Sequence, residues 1–152
     1  MADDLRALED WAGALLNQLQ PAERRKTTQA IARELRRSQQ QRIAAQRNPD
    51  GTPYAPRKPR QQLRAKAGRI KQRKMFAKLR TARYLRLQSD ASSIAIGFAG
   101  RLSRIARIHQ YGQRDRPAPG APDVQYARRE LLGFTDADLE LIRDRLLGHL
   151  VR

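Results

Sequence analysis

From Gly51 to Ser89 the chain carries no acidic residue, while thirteen lysines and arginines recur between Arg57 and Arg86. A run of one sign repels itself, so the core must come from the sequence on either side of it. Between Gln61 and Arg80 the large apolar residues are Leu63, Ile70, Met75, Phe76 and Leu79. These leave little to hold the stretch against a core, which predicts a basic arm or partly helical insertion that is mobile in the free protein and ordered by assembly. The arm follows Asn48-Pro49-Asp50-Gly51-Thr52-Pro53-Tyr54-Ala55-Pro56, where three prolines and an Asp-Gly turn signal define a loop.

The flanks carry the folding information. Leu5, Leu8, Trp11, Ala12, Leu15, Leu16 and Leu19 recur at steps of three and four, predicting an amphipathic helix from Asp3 to Leu19. Asp3 and Asp4 suit the positive end of its dipole. Pro21 opens a second helix that runs through Ile31, Leu35 and Ile43 to about Gln46. Arg24, Arg25, Lys26, Arg33, Arg36, Arg37 and Arg42 lie between its apolar positions, predicting a strongly basic exposed face.

Past the basic stretch the period changes to two. Leu85 and Leu87 alternate with Arg86 and Gln88, and Ile94, Ile96 and Phe98 alternate with Ala95 and Gly97. With the polar turn Ser89-Asp90-Ala91-Ser92-Ser93 between them, these runs predict a β-hairpin. A lone hairpin is marginal in water, so its apolar face must rest on helices. Leu102, Ile105, Ala106 and Ile108 then predict a short helix stopped by Gly112. Pro117, Pro119, Gly120 and Pro122 mark a loop. Thr135 with Asp138 three residues later is a capping-box-like start, with Asp in place of Glu or Gln, for a last helix through Leu139, Ile142, Leu146 and Leu150.

The fold class expected is therefore α+β: amphipathic N- and C-terminal helices packed on a small antiparallel hairpin. With 152 residues, one domain over 1–152 is expected, in which 48–83 form the Pro-rich loop and basic arm.

The formal charge of +17 calls for an acidic partner, and nucleic acid, an anionic membrane and an acidic protein surface all fit the sign. The candidate partner-binding residues are Arg57, Lys58, Arg60, Arg64, Lys66, Arg69, Lys71, Arg73, Lys74 and Lys78. An acidic N-terminus and the lack of an apolar run of about 18 residues argue against a signal peptide and a membrane span, so no membrane partner and a cytosolic site of synthesis are expected.

No enzyme, metal or cofactor site is written in the sequence. There is no cysteine, and neither His109 nor His149 sits in a metal-ligand spacing such as HExxH. Nucleotide loops and a nucleophile elbow are absent too. Asp136, Asp138, Glu140 and Asp144 cluster on the last helix, where helix-start electrostatics account for the first two. His109, at the end of its helix, is expected to pack and to donate to a carbonyl, with His109 and Tyr111 as candidate interface residues. Tyr54, Tyr84, Tyr111 and Tyr126 are too scattered for a base-stacking platform.

Four segments resemble the phage tail completion, or virion morphogenesis, family of contractile-tailed phages and tail-like bacteriocins. The first runs from Arg42 to Lys58 through the Pro-Asp-Gly-Thr-Pro turn and the Tyr54-Ala55-Pro56-Arg57 stretch. The second is Ala106-Arg107-Ile108-His109-Gln110-Tyr111-Gly112, similar to an Ile-His-Gln-aromatic-Gly signature of phage neck proteins. The others are Arg128-Arg129-Glu130-Leu131-Leu132-Gly133 and Thr135-Asp136-Ala137-Asp138-Leu139. The resemblance implies a structural protein of the virion or tail-like particle, assembled in the host bacterial cytoplasm. It would be added at the head-proximal end of a finished tail, in capping and head–tail joining. The implied partners are other tail and neck proteins (tail terminator, tube or connector) and further copies in a homo-oligomeric ring. The alternative from charge alone is a basic nucleic-acid-binding module.

Overall fold

The computed structural model describes residues 2–57 and 74–150. The expected helical or mobile character of Gln61 to Arg73, including Leu63 and Ile70, lies outside the described residues.

Helix α1 (Ala2–Leu16) has Asp3 and Asp4 in its first turn, and α2 (Pro21–Ala44) begins on Pro21, whose missing N–H would have had no partner in a first turn. Strands β1 (Leu85–Ser89) and β2 (Ile94–Phe98) pair antiparallel with Leu85 opposite Phe98 and Ser89 opposite Ile94. The predicted turn closes them. One carboxylate oxygen of Asp90 accepts the backbone N–H groups of Ser92 at 2.8 Å and Ser93 at 2.7 Å, and this hydrogen bonding holds its pKa below the usual carboxylate value. The hairpin tip is tied to α2 by the Thr28 hydroxyl, which donates to the Asp90 carbonyl at 2.6 Å.

A 3-10 turn (Gly100–Leu102) leads into α3 (Ser103–Tyr111). Gly112, at φ 61°, ends α3 in a Schellman arrangement: its N–H points to His109 O, and Gln113 N–H reaches Ile108 O at 2.9 Å. The expected loop through Pro117, Pro119, Gly120 and Pro122 is flanked by a short antiparallel pair that was not expected, β3 (Arg114–Asp115) with β4 (Val124–Gln125). Two-residue strands leave too short an alternation to be seen in a sequence. Helix α4 (Asp136–Leu150) starts as anticipated, with Thr135 N–H donating to Asp138 Oδ2 and Asp138 N–H donating to Thr135 Oγ1, both at 3.0 Å. The Ser38 hydroxyl of α2 donates to the same buried carboxylate.

The α+β expectation holds, with α2 as the spine. Ile31 and Leu35 of α2 join Leu16 of α1 and Leu146 of α4 in one apolar cluster, onto which Ile94, Ile96, Trp11 and Phe134 pack. Farther along α2, Ile43 joins Tyr54, Leu79, Ala106 and Leu131 in a second, with Met75, Phe76, Phe98 and Leu102 against it. The hairpin therefore lies mainly along α2, and α1 and α4 reach it through the first cluster.

Three local expectations need correction. Met75 and Phe76 are half-buried and Leu79 is buried against the second cluster, so the last part of the basic stretch belongs to the packed body. Arg42 is buried, because it shares the stripe of Leu35, Gln39 and Ile43 and finds acceptors there. Ile105, placed on the inner side of α3 by its spacing, is 44% exposed, and only Ala106 and Ile108 of that helix are buried.

Candidate functional site: interlocked loops at the root of the basic segment

Three of the family-like segments, far apart in sequence, meet in one hydrogen-bonded node. Arg42 is its centre. Its guanidinium donates to Arg47 O at 3.0 Å, Glu130 O at 2.9 Å and Leu131 O at 2.7 Å, and also to Gln39 Oε1. Gln39 in turn donates to Gly133 O at 2.8 Å. From α3, Gln110 accepts the N–H groups of Leu131 at 2.8 Å and Leu132 at 2.9 Å and donates to Leu132 O at 2.9 Å. Asn48 Oδ1 accepts Glu130 N–H, and the Tyr54 hydroxyl donates to Glu130 O, each at 2.9 Å. Burial raises the Tyr54 pKa, which keeps that hydroxyl a donor. Residues 129–133 form no helix or strand, so side chains supply the partners that regular structure would have given.

The node fixes both roots of the basic segment. On the entering side, Arg129 donates to Ala55 O at 2.7 Å and Pro56 O at 3.0 Å. On the leaving side, Gln46 accepts Met75 N–H at 2.9 Å and donates to Met75 O at 3.0 Å, while Gln40 donates to Arg80 O at 2.8 Å. The roots touch each other. Tyr54 meets Phe76 edge-on with ring centroids 5.7 Å apart, Phe76 meets His109 at 4.8 Å, and His109 meets Tyr126 at 5.1 Å.

His109 is half-buried in this aromatic row, with Nδ1 3.3 Å from a guanidinium nitrogen of Arg129. Burial, reinforced by the positive charges of Arg129 and Arg57, lowers its pKa to about 4. The ring is therefore neutral at pH 7. Arg129 can only donate, so Nδ1 accepts and the side-chain donation to a carbonyl expected of His109 is not formed at that nitrogen. Its own carbonyl accepts Arg129 N–H at 2.8 Å.

Of the sequence-predicted partner-binding residues, Arg57, Lys74 and Lys78 are exposed, with Arg57 and Lys74 flanking the two roots. Lys58, Arg60, Arg64, Lys66, Arg69, Lys71 and Arg73 lie outside the described residues. Tyr111 is 64% exposed. Sequence reasoning missed the side chains that build the node: Gln39, Arg42, Gln46, Asn48, Gln110 and Arg129. Among the described residues, no group of three or more His, Cys, Asp or Glu side chains is placed to hold a metal ion. No helix among them is long and apolar enough to cross a membrane.

Residues 3–151 match the phage virion morphogenesis family. The chain belongs to that family. It is 40% identical over 151 residues to the Tail completion protein S of Escherichia phage P2, a match covering 99% of each chain. No solved structure gives a significant match. The fourth family-like segment, Thr135 to Leu139, is the capping box of α4 and adjoins the node through Gly133 and Phe134. In this member of the virion morphogenesis family the four family-like segments thus form one contiguous structure.

Proposed function

We propose that the chain is a structural tail completion protein, without catalytic activity, that acts at the head-proximal end of a contractile phage tail or tail-like particle in capping and head–tail joining. The observation that carries this reading is the similarity to Tail completion protein S, which extends over 99% of each chain. The whole chain acts as one tail completion domain that presents the basic segment from a rigid root. Its partners are the tail terminator, tube or connector and further copies of itself in a ring. Assembly takes place in the host bacterial cytoplasm, and the product is a virion or tail-like particle.

The basic segment, including Arg57, Lys58, Arg60, Arg64, Lys66, Arg69, Lys71, Arg73, Lys74 and Lys78, docks on acidic protein surfaces. DNA leaving through a tail must slide, and a lumen lined by Lys and Arg would grip its phosphates. The segment therefore faces protein, or points away from the channel. The burial of Tyr54 and the packing of Phe76 and Tyr126 around His109 also favour protein over nucleic acid, because those rings are spent on one another and not offered to bases.

Deleting the gene from its phage or particle and examining lysates by electron microscopy tests the reading. Tubes and sheaths should form, but tails should fail to join heads or remain inactive, and the full-length chain supplied in trans should restore them. Normal, fully active particles without the protein would overturn it.

A further inference from the structure

The acidic residues of this chain are segregated. Of its 15, eight lie on α1 and α4, which pack against each other. On α4, Asp136, Glu140, Asp144 and Leu147 are exposed at steps of four, four and three, which aligns them along one face of the helix. Three carboxylates in line end in a leucine that is 48% exposed.

The 3-10 turn and α3 carry the reverse pattern. Arg101, Arg104, Arg107 and Tyr111 are exposed at steps of three, three and four, so three guanidiniums in line end in an aromatic ring. Each stripe is about 15 Å long at the helical rise per residue. Laid parallel, they set charge against charge and Leu147 against Tyr111. Arg104 and Arg107 of this stripe border an open groove of about 470 Å³ whose lining also includes Phe98, Ala106 and Leu132.

Internal pairing leaves most of these groups free. Arg104 is paired with Asp115 at 2.5 Å and Glu140 with Arg143 at 3.4 Å, while Arg101, Arg107, Asp136 and Asp144 have no ion-pair partner among the described residues. Ile105, Tyr111 and Leu147 are the large hydrophobics that stand exposed among the described residues, and they lie on these two helices.

We propose that the α4 stripe of one copy docks along the α3 stripe of the next, making a contact between two different surfaces of the same chain. Such a contact propagates from copy to copy and closes into a ring when the rotation per copy allows. The inference deepens the self-assembly part of the function proposed above and rests on it.

Sedimentation velocity on the full chain at low and high salt tests the interface, using two charge-reversed variants whose folding is checked by thermal melting. One carries Glu140→Lys with Asp144→Lys, the other Arg101→Glu with Arg107→Glu. The wild type should self-associate more weakly as salt rises. Each variant alone should associate on the order of a hundredfold more weakly, because like charges now face each other. An equimolar mixture should regain wild-type association, since each reversed stripe meets its reversed complement. A wild-type oligomer that both variants reproduce, or a mixture that regains nothing, would overturn this interface and leave self-assembly standing. A wild type that stays monomeric at every concentration would overturn both.

Discussion

Arg42 donates to the carbonyl of Leu131 at 2.7 Å across 89 residues of chain, joining the last turn of a long helix to a loop without secondary structure of its own. The same guanidinium reaches the carbonyls of Arg47 and Glu130. A planar fork can serve three carbonyls in different directions, whereas an ammonium on a flexible stem has no such fixed geometry.

Replacing Arg42 should therefore be costly. Arg42→Met leaves buried acceptors without a donor and should destabilise the fold by about 3 kcal/mol or more. Arg42→Lys should recover only part of this. Chemical denaturation of the three proteins measures both effects, and a near-neutral Arg42→Met would show that the node does not hold the loop.

A methyl group at Gly133 would collide with the ring of Pro49. Gly133→Ala should cost about 1–3 kcal/mol, as overpacking does when neither backbone can yield. Adding Pro49→Ala removes the ring atoms and should recover part of the loss, a coupling that a double-mutant cycle reads directly.

In the hairpin, Leu85 is fully buried whereas Leu87 and Ile96 are only half-buried. Leu85→Ala should lose about 2–5 kcal/mol, and Leu87→Ala and Ile96→Ala clearly less. Thermal melts that reversed this order would contradict the inward face assigned to β1.

The pKa of His109 falls from an ordinary 6.5 to about 4 in the fold. Its neutral form is favoured there, so the unfolded chain binds the extra proton first as the pH drops. The resulting contribution to stability is complete above pH 6.5 and is lost as the pH falls toward 4. His109→Gln should flatten the stability profile in this window, where carboxylates also begin to titrate at the lower end. Urea unfolding at half-unit pH steps measures the difference, and an unchanged slope would mean that the ring titrates normally.

Charge removal separates docking from nucleic-acid binding. Replacing Arg64, Lys66, Arg69, Lys71, Arg73 and Lys74 together by Gln should give particles that form tubes and sheaths yet lack this subunit or cannot join heads. A nucleic-acid module would instead bind duplex more weakly, with a salt slope smaller by roughly 0.9 for each phosphate no longer neutralised. Normal incorporation into active particles alongside a collapse of DNA binding would overturn the docking role.

Periodicity made α1, α2, the hairpin, α3 and the capping box of α4 legible, because each buries a repeating face or ends on a residue with a backbone reason to be there. The node was not legible, because its partners lie roughly 80 to 90 residues apart and obey no period. One signal was available: Arg42 stands seven residues after Leu35, in phase with the buried stripe, and its charge led it to be assigned to the exposed face. The packing of Met75, Phe76 and Leu79 was obscured in the same way by the lysines and arginines around them.

Because the entering and leaving roots of the basic segment are pinned to the same node, the frame is closed by residues that lie outside the stretch between them. Doubling the length of such a loop costs only about 0.6 kcal/mol in closure entropy. Variants engineered to differ in length or sequence between Arg57 and Lys74 should therefore keep the frame whatever they do to docking, and a single break there would leave two fragments that each still contribute to the second cluster: Ile43 and Tyr54 from one, Leu79, Ala106 and Leu131 from the other.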